Sequence, residues 1–175
     1  LDERMRIDHN GNIGIGTDSP TTTLHVYSAA DFNPTLTIEN AHAGSRSPYL
    51  SFKKTSSSPA NDDNIGQIQF NSNDATGSSR LMAFIEAYTP DVTGGAYDGA
   101  FRFSQMINAS QTEVMTITGG NVGIGITPDT NLHIHKATAG TVDSNANAQV
   151  TIENSSHAAL QFLSPNSANN IIYFG

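Results

Sequence analysis

The stretch Met5-Arg6-Ile7-Asp8-His9-Asn10-Gly11-Asn12-Ile13-Gly14-Ile15-Gly16 decides how this chain folds. Met5 and Ile7 face one way, Arg6 and Asp8 the other, which is the period of a half-buried β-strand. Asn10-Gly11 offers residues that tolerate positive φ, so the stretch reads as a tight β-hairpin. Past the turn, Ile13 and Ile15 continue the alternation while Gly14 and Gly16 occupy the opposite face.

The same stretch returns, one residue shorter, as Met115-Thr116-Ile117-Thr118-Gly119-Gly120-Asn121-Val122-Gly123-Ile124-Gly125. A spacing from Asn12 to Asn121 is too long for a solenoid coil and marks a whole repeated module. The copies stay in step further on. Leu24-His25-Val26 answers to Leu132-His133-Ile134, and Thr37-Ile38-Glu39-Asn40 to Thr151-Ile152-Glu153-Asn154. Leu50-Ser51-Phe52 answers to Leu160-Gln161-Phe162, and Ile68-Gln69-Phe70 to Ile172-Tyr173-Phe174. Four regions follow: a Gly-rich joint over 1–26, a β module over 27–114, a second joint over 115–136, and a partial module over 137–175. The closing apolar run 171–174 would be a strand without partners, so the protein is expected to continue past it.

Between the joints, short alternating runs lie at 35–39, 49–52, 65–70 and 100–104, split by Gly, Pro, Asn and Ser clusters. Leu81, Ile85 and Tyr88 have helical spacing, but Phe84, Glu86 and Tyr88 also alternate, and the surroundings favour a strand. The expected fold is all-β, built of tandem small antiparallel modules joined by Gly-rich hairpins.

Composition limits the function. There are 16 acidic and 8 basic residues, a net charge of −8, and only Lys53-Lys54 places two cations side by side. Such a chain repels nucleic acid and anionic membrane, which attract clustered cations. It has no cysteine, so neither a disulfide nor a thiolate metal site is open to it. No apolar run reaches the ~20 residues of a membrane span.

Glycine within a strand costs packing and backbone entropy and needs a cause. The motif residues Gly11, Asn12, Gly14 and Gly16, with Gly120, Asn121, Gly123 and Gly125, leave one face bare beside an Ile/Val stripe. Either another chain packs its backbone against that bare face, or the glycines form a bulged hairpin within one chain.

Gly11-x-x-Gly14-x-Gly16 is not a dinucleotide fingerprint, because Asp18-Ser19-Pro20 stands where a phosphate-binding helix would begin. No cofactor-binding or catalytic residue is assigned. Asp62-Asp63, Asp91 and Asp98 read as loop acids, not as the paired carboxylates of a glycosidase. Residues 71–77 resemble a calcium loop without its glycine and its closing glutamate. His133 and His135 are the one metal-like pair, since i and i+2 share a strand face. Against that stands a reading as solvent-facing histidines opposite buried Leu132 and Ile134. Phe101 is expected in the core, and Tyr97 is open to a place in the core or to stacking on a sugar.

Glu3-Arg4-Met5-Arg6-Ile7-Asp8, Gly11-Asn12-Ile13-Gly14-Ile15-Gly16-Thr17, Ser19-Pro20 and Leu24-His25-Val26 together resemble the "ERMRID…GNVGIGTxSP…LHV" signature of tailed-bacteriophage tail fibres and other fibrous structural proteins. The second copy keeps 120–125, Pro128 and 132–134, but reads Val114-Met115-Thr116-Ile117-Thr118 for the charged segment. The resemblance implies an intertwined homotrimeric fibre exposed on a virion, with other fibre or tail proteins as partners. Three chains would bring the His133/His135 pairs around one axis. The implied work is to space and support a receptor-binding tip, with no enzymatic activity. The alternative is a module that recognises host surface glycan through loops at about 71–80 and 89–99.

Overall fold

The computed structural model describes residues 4–31, 33–140, 145 and 147–160. The chain divides into two compact units, Leu1–Ser51 and Phe52–Gly175. The described residues are strands and loops without helix, as the period-2 pattern requires.

The first unit holds a three-stranded sheet of β1 (Met5–Ile7), β2 (Ile13–Ile15) and β3 (Leu24–Val26). β1 and β2 are antiparallel, whereas β3 lies parallel to β2. The second unit holds a seven-stranded sheet. Its strands are β4 (Asp63–Asn73), β5 (Ser79–Asp91), β6 (Asp98–Ile107), β7 (Ser110–Thr118), β8 (Asn121–Ile124), β9 (Leu132–His135) and β10 (Val150–Glu153). They lie in sequence order across the sheet. Pairing is antiparallel from β4 to β8 and parallel from β8 to β10. Both sheets are therefore mixed, not purely antiparallel. The 114/115 boundary falls inside β7, so the long β meander and the second Gly-rich joint share one sheet.

The repeat is exact at the level of register. Met5 faces Ile15 and Ile15 faces Val26, just as Met115 faces Ile124 and Ile124 faces Ile134. The one-residue difference in length is absorbed by the turn. Asp8 to Asn12 form a three-residue loop in which only Gly11 has positive φ, at 84°. Thr118 and Asn121 are joined instead by Gly119 and Gly120, both at positive φ, which is the two-residue hairpin turn. The longer form needs its aspartate. The Asp8 carboxylate accepts the Asn10 and Asn12 amides at 2.8 and 2.9 Å. Asp74 does the same at the β4–β5 tip, accepting from Thr76 N at 2.9 Å and Ser78 N at 3.1 Å, with Gly77 at positive φ. The calcium-like segment 71–77 is thus the end of a strand and a hairpin tip whose carboxylate is committed to its own backbone and to Arg80.

Two runs expected to be strands are not. Residues 35–39 and 49–52 carry no ladder, and every described residue from 33 to 60 is exposed. Alternation prepares two faces, but a strand also needs a hydrogen-bonding neighbour, and none of the described residues supplies one. β5 forms as expected, with Phe84, Glu86 and Tyr88 buried along one face. Of the second-copy matches, Thr151-Ile152-Glu153 forms β10, while 161–162 and 172–174 lie outside the described residues.

Register places an unbroken apolar row across the larger sheet: Ile68, Ile85, Phe103, Met115, Ile124, Ile134 and Ile152. Ala87, Phe101, Ile117, Val122, Leu132 and Val150 make a second row on the same face. No residue of these two rows is buried: nine of the thirteen are half-buried and four are exposed. Ile68, Phe101, Ile124 and Val150 are all exposed, so Phe101 is not a core residue. The opposite face carries Gln67, Glu86, Arg102, Thr116, Gly123, His133 and Thr151 in one row, and four of these are buried.

Ala109 is the second residue of the two-residue β6–β7 turn and sits at φ 61° with a Cβ in the left-handed region. Ala109→Gly is expected to raise stability by about 0.5–1 kcal/mol, measured by chemical denaturation. The carboxyl of Asp74 is held down to about 2 by the Thr76 hydroxyl, Arg80 and the Ser78 amide. Its folded value lies below its unfolded value, so its contribution is full above about pH 4 and disappears as pH falls towards 2. Thermal midpoints from pH 5 to 2 should fall less steeply in Asp74→Asn than in the parent chain.

Candidate functional site

The glycine motif is built around two short parallel returns. Residues 16–23 lead from β2 to β3, and 125–131 from β8 to β9, where parallel neighbours usually need a dozen residues or more. A return this short has to lie on the sheet it leaves. The position a Cβ on Gly14 would take is 2.5 Å from the Thr17 carbonyl oxygen. At Gly123 a Cβ would collide with the Ile126 carbonyl oxygen and stand 2.9 Å from Pro128 Cδ. Gly16 and Gly125 then turn the chain at φ 75° and 76°, with the Tyr27 and His135 carbonyls in the space of their missing side chains. The backbone that approaches these bare faces belongs to the same chain. Gly11 and Gly120 serve the turns instead, where nothing would meet a Cβ within 4 Å.

His133 occupies the face opposite to the one expected. It faces Gly123 across the ladder and is 3% exposed, while Leu132 and Ile134 are only half-buried. Its Nε2 lies 3.2 Å from Glu153 Oε2 on β10. Its Nδ1 lies 2.8 Å from Asp129 Oδ1, an ion-pair distance that misses hydrogen-bond geometry. Glu153 also accepts the Ala139 amide at 2.6 Å, which together with His133 holds its carboxyl below the usual range. A cavity of about 380 Å³ adjoins His133, Asp129 and Glu153. His135 shares the face, its ring centroid 6.3 Å from that of His133, and its Nε2 is 3.5 Å from the Thr138 hydroxyl. Both ring nitrogens of His133 thus already stand at ion-pair distance from a carboxylate. Among the described residues no three His, Cys, Asp or Glu side chains are grouped to hold one.

A second cluster was not foreseen from the sequence. Arg102 on β6 reaches Glu86 on β5 at 3.0 Å and Asn64 on β4 at 3.2 Å, and lies 3.9 Å above the Tyr88 ring. Glu86 is 6% exposed and also accepts from Gln67 at 3.3 Å. Glu113 stands 3.9 Å from Arg102 Nε and accepts from the buried Thr116 hydroxyl. Its signal was present: Glu86 and Arg102 are the charged members of otherwise apolar alternating runs. This cluster compensates charge on the covered face, because an unpaired Glu86 would be costly there.

Of the acids expected in loops, Asp63, Asp91 and Asp98 stand at the ends of β4, β5 and β6, where pairing extends further than the sequence suggested. Asp63 bonds Lys54 at 2.7 Å, and Asp91 accepts the Thr93 amide at 2.8 Å while facing Asp98 across the ladder. The loops at about 71–80 and 89–99 are shorter than expected, since strand pairing runs to Asn73 and Asp91 and resumes at Ser79 and Asp98. Tyr97 projects from the second of them and is 79% exposed.

No protein-family model matches the chain, and no curated protein matches it.

Gly123→Ala should cost about 2–4 kcal/mol, because the obstruction is backbone and cannot rotate away. Gly11→Ala, in open space, should cost only about 1 kcal/mol for its positive φ. Equal losses in paired denaturation curves would remove the close approach as the reason for the motif.

Proposed function

We propose that this chain is a structural segment of a virion fibre, a tail-fibre shaft or neck that assembles with copies of itself. The observation that carries the reading is the open apolar face. Seven strands present two apolar rows, and the smaller sheet presents exposed Met5, Ile7, Ile15 and Leu24 in the same register. Among the described residues, only Phe84, Tyr88 and Ala100 are buried apolar residues. A contiguous apolar face such as that of the larger sheet marks an interaction site. Copies of one repeated unit satisfy it by symmetry, without a different partner for each module. The homotrimer, the virion and the neighbouring tail proteins come from the resemblance of the glycine motifs. The work is mechanical, setting length and supporting a receptor-binding tip outside the cell, with no catalysis.

A second reading has one observation in its favour. Tyr97, held out on the 92–97 loop, offers an aromatic face of the kind that stacks on sugars. Saturable binding of the chain on a glycan array, lost in Tyr97→Ala, would favour host-glycan recognition.

Light scattering on the purified chain should give three times the monomer mass. Phe103→Asp and Ile124→Asp, each placing a charge in the middle of the apolar row, should lower that mass while the β circular-dichroism signal persists. A parent chain that stays monomeric at all concentrations would overturn the proposal.

A further inference from the structure

The two copies match in register through β3 and β9 and then part. On β9 the next strand is β10, parallel, with Val150 facing Leu132, Thr151 facing His133 and Ile152 facing Ile134. The counterpart of β10 in the first copy is Leu36-Thr37-Ile38-Glu39. There it pairs with nothing among the described residues. Leu36 and Ile38 are 73% and 46% exposed, and β3 remains the edge of its sheet. One copy thus shows both an open strand edge and, unused, the segment that closes that edge in the other copy.

We propose that residues 36–39 of one chain add as a parallel strand to the β3 edge of a second copy of this chain. The register follows from β9–β10: Leu36 against Leu24, Thr37 against His25, Ile38 against Val26. Each placement is chemically matched. Leu36 and Ile38 extend the apolar rows ending at Leu24 and Val26, as Val150 and Ile152 extend those of Leu132 and Ile134. Glu39 comes to His25 as Glu153 comes to His133. The Thr35 carbonyl accepts the Leu24 amide, as Gln149 O accepts from Leu132 N at 2.9 Å.

The length and composition of the connection select a second copy over the same chain. In the second copy the return from β9 to β10 uses residues 136–149. In the first copy only 27–35 are available, close to the length of the tight returns over 16–23 and 125–131. Those tight returns are possible because they lie across Gly14 and Gly123. β3 offers His25 at the equivalent place, so a tight return across it is blocked by a side chain. A strand whose connection is too short to fold back is the kind that exchanges between copies. The inference rests on self-assembly, and its failure is separable from the failure of that reading.

The parent chain has no cysteine, so engineered pairs report without background. His25→Cys and Thr37→Cys, made in separate chains, mixed by co-refolding and oxidised, should give a covalent dimer absent from either variant alone. Cα atoms of facing strand neighbours fall within disulfide reach. Leu132→Cys with Val150→Cys in one chain serves as the positive control, closing within the chain. In the chain carrying both His25→Cys and Thr37→Cys, a disulfide closed at monomer mass would overturn the exchange. An assembled chain with no cross-link would overturn the exchange alone, and a persistent monomer would overturn both it and the assembly. In the unaltered protein, amide hydrogen exchange over 36–39 should slow at least tenfold between dilute and assembled samples. Unchanged exchange there in an assembled sample would also overturn the proposal.

Discussion

The contact on which both sheets depend is the return loop lying directly on a glycine. A loop that leaves β2 or β8 and comes back parallel within a few residues has no room to arch outward. It runs over the strand it has just left, and its carbonyls at Thr17 and Ile126 take the volume of a β-carbon. The glycines at 14 and 123 are therefore a steric requirement of the parallel return, and those at 16 and 125 supply the positive φ that starts it. Once this return is made, β3 and β9 are fixed in parallel register, and so are the faces of everything they carry.

Fixing the faces produces an inverted distribution of polarity. The covered side of the larger sheet bears Glu86, Arg102, Thr116 and His133, each engaged by a residue of an adjacent strand or of its own strand. The open side bears the apolar rows. The polar side is stabilised within the chain, because charge-assisted bonds need only adjacent strands. The apolar side cannot be covered in the same way, since it requires another layer.

This inversion also explains what was legible in the sequence. Alternation located β1 to β8, and the repeat was visible as a repeat, because both are properties of consecutive residues. Direction of pairing was not, because Leu24-His25-Val26 alternates identically whether its neighbour runs parallel or antiparallel. The burial of His133 was hidden for a related reason. Its covering groups, Asp129 and Glu153, come from a return loop and from a strand beyond a long connection. Alternation names two faces without saying which is inside, and the assumption that the apolar face of β9 is the buried one reversed the outcome. At 35–39 and 49–52 the pattern is that of a strand, but pattern alone supplies no hydrogen-bond partner.

The two copies also show which parts of the unit are free to vary. The turn changed from an aspartate-capped three-residue loop to a two-glycine loop without shifting any pairing between β7, β8 and β9 relative to β1, β2 and β3. The residue facing the turn changed from Asp8 to Thr118, which follows, because a two-residue turn has no inner amides left for a carboxylate to satisfy. What did not change is the glycine beneath the return loop and the histidine facing it. Hairpin ends tolerate substitution because they project into solvent and answer only to local geometry. The return loop does not, because its backbone is one wall of the sheet it closes. The most constrained residues of this chain are thus those without a side chain, and their constraint is imposed from within the chain.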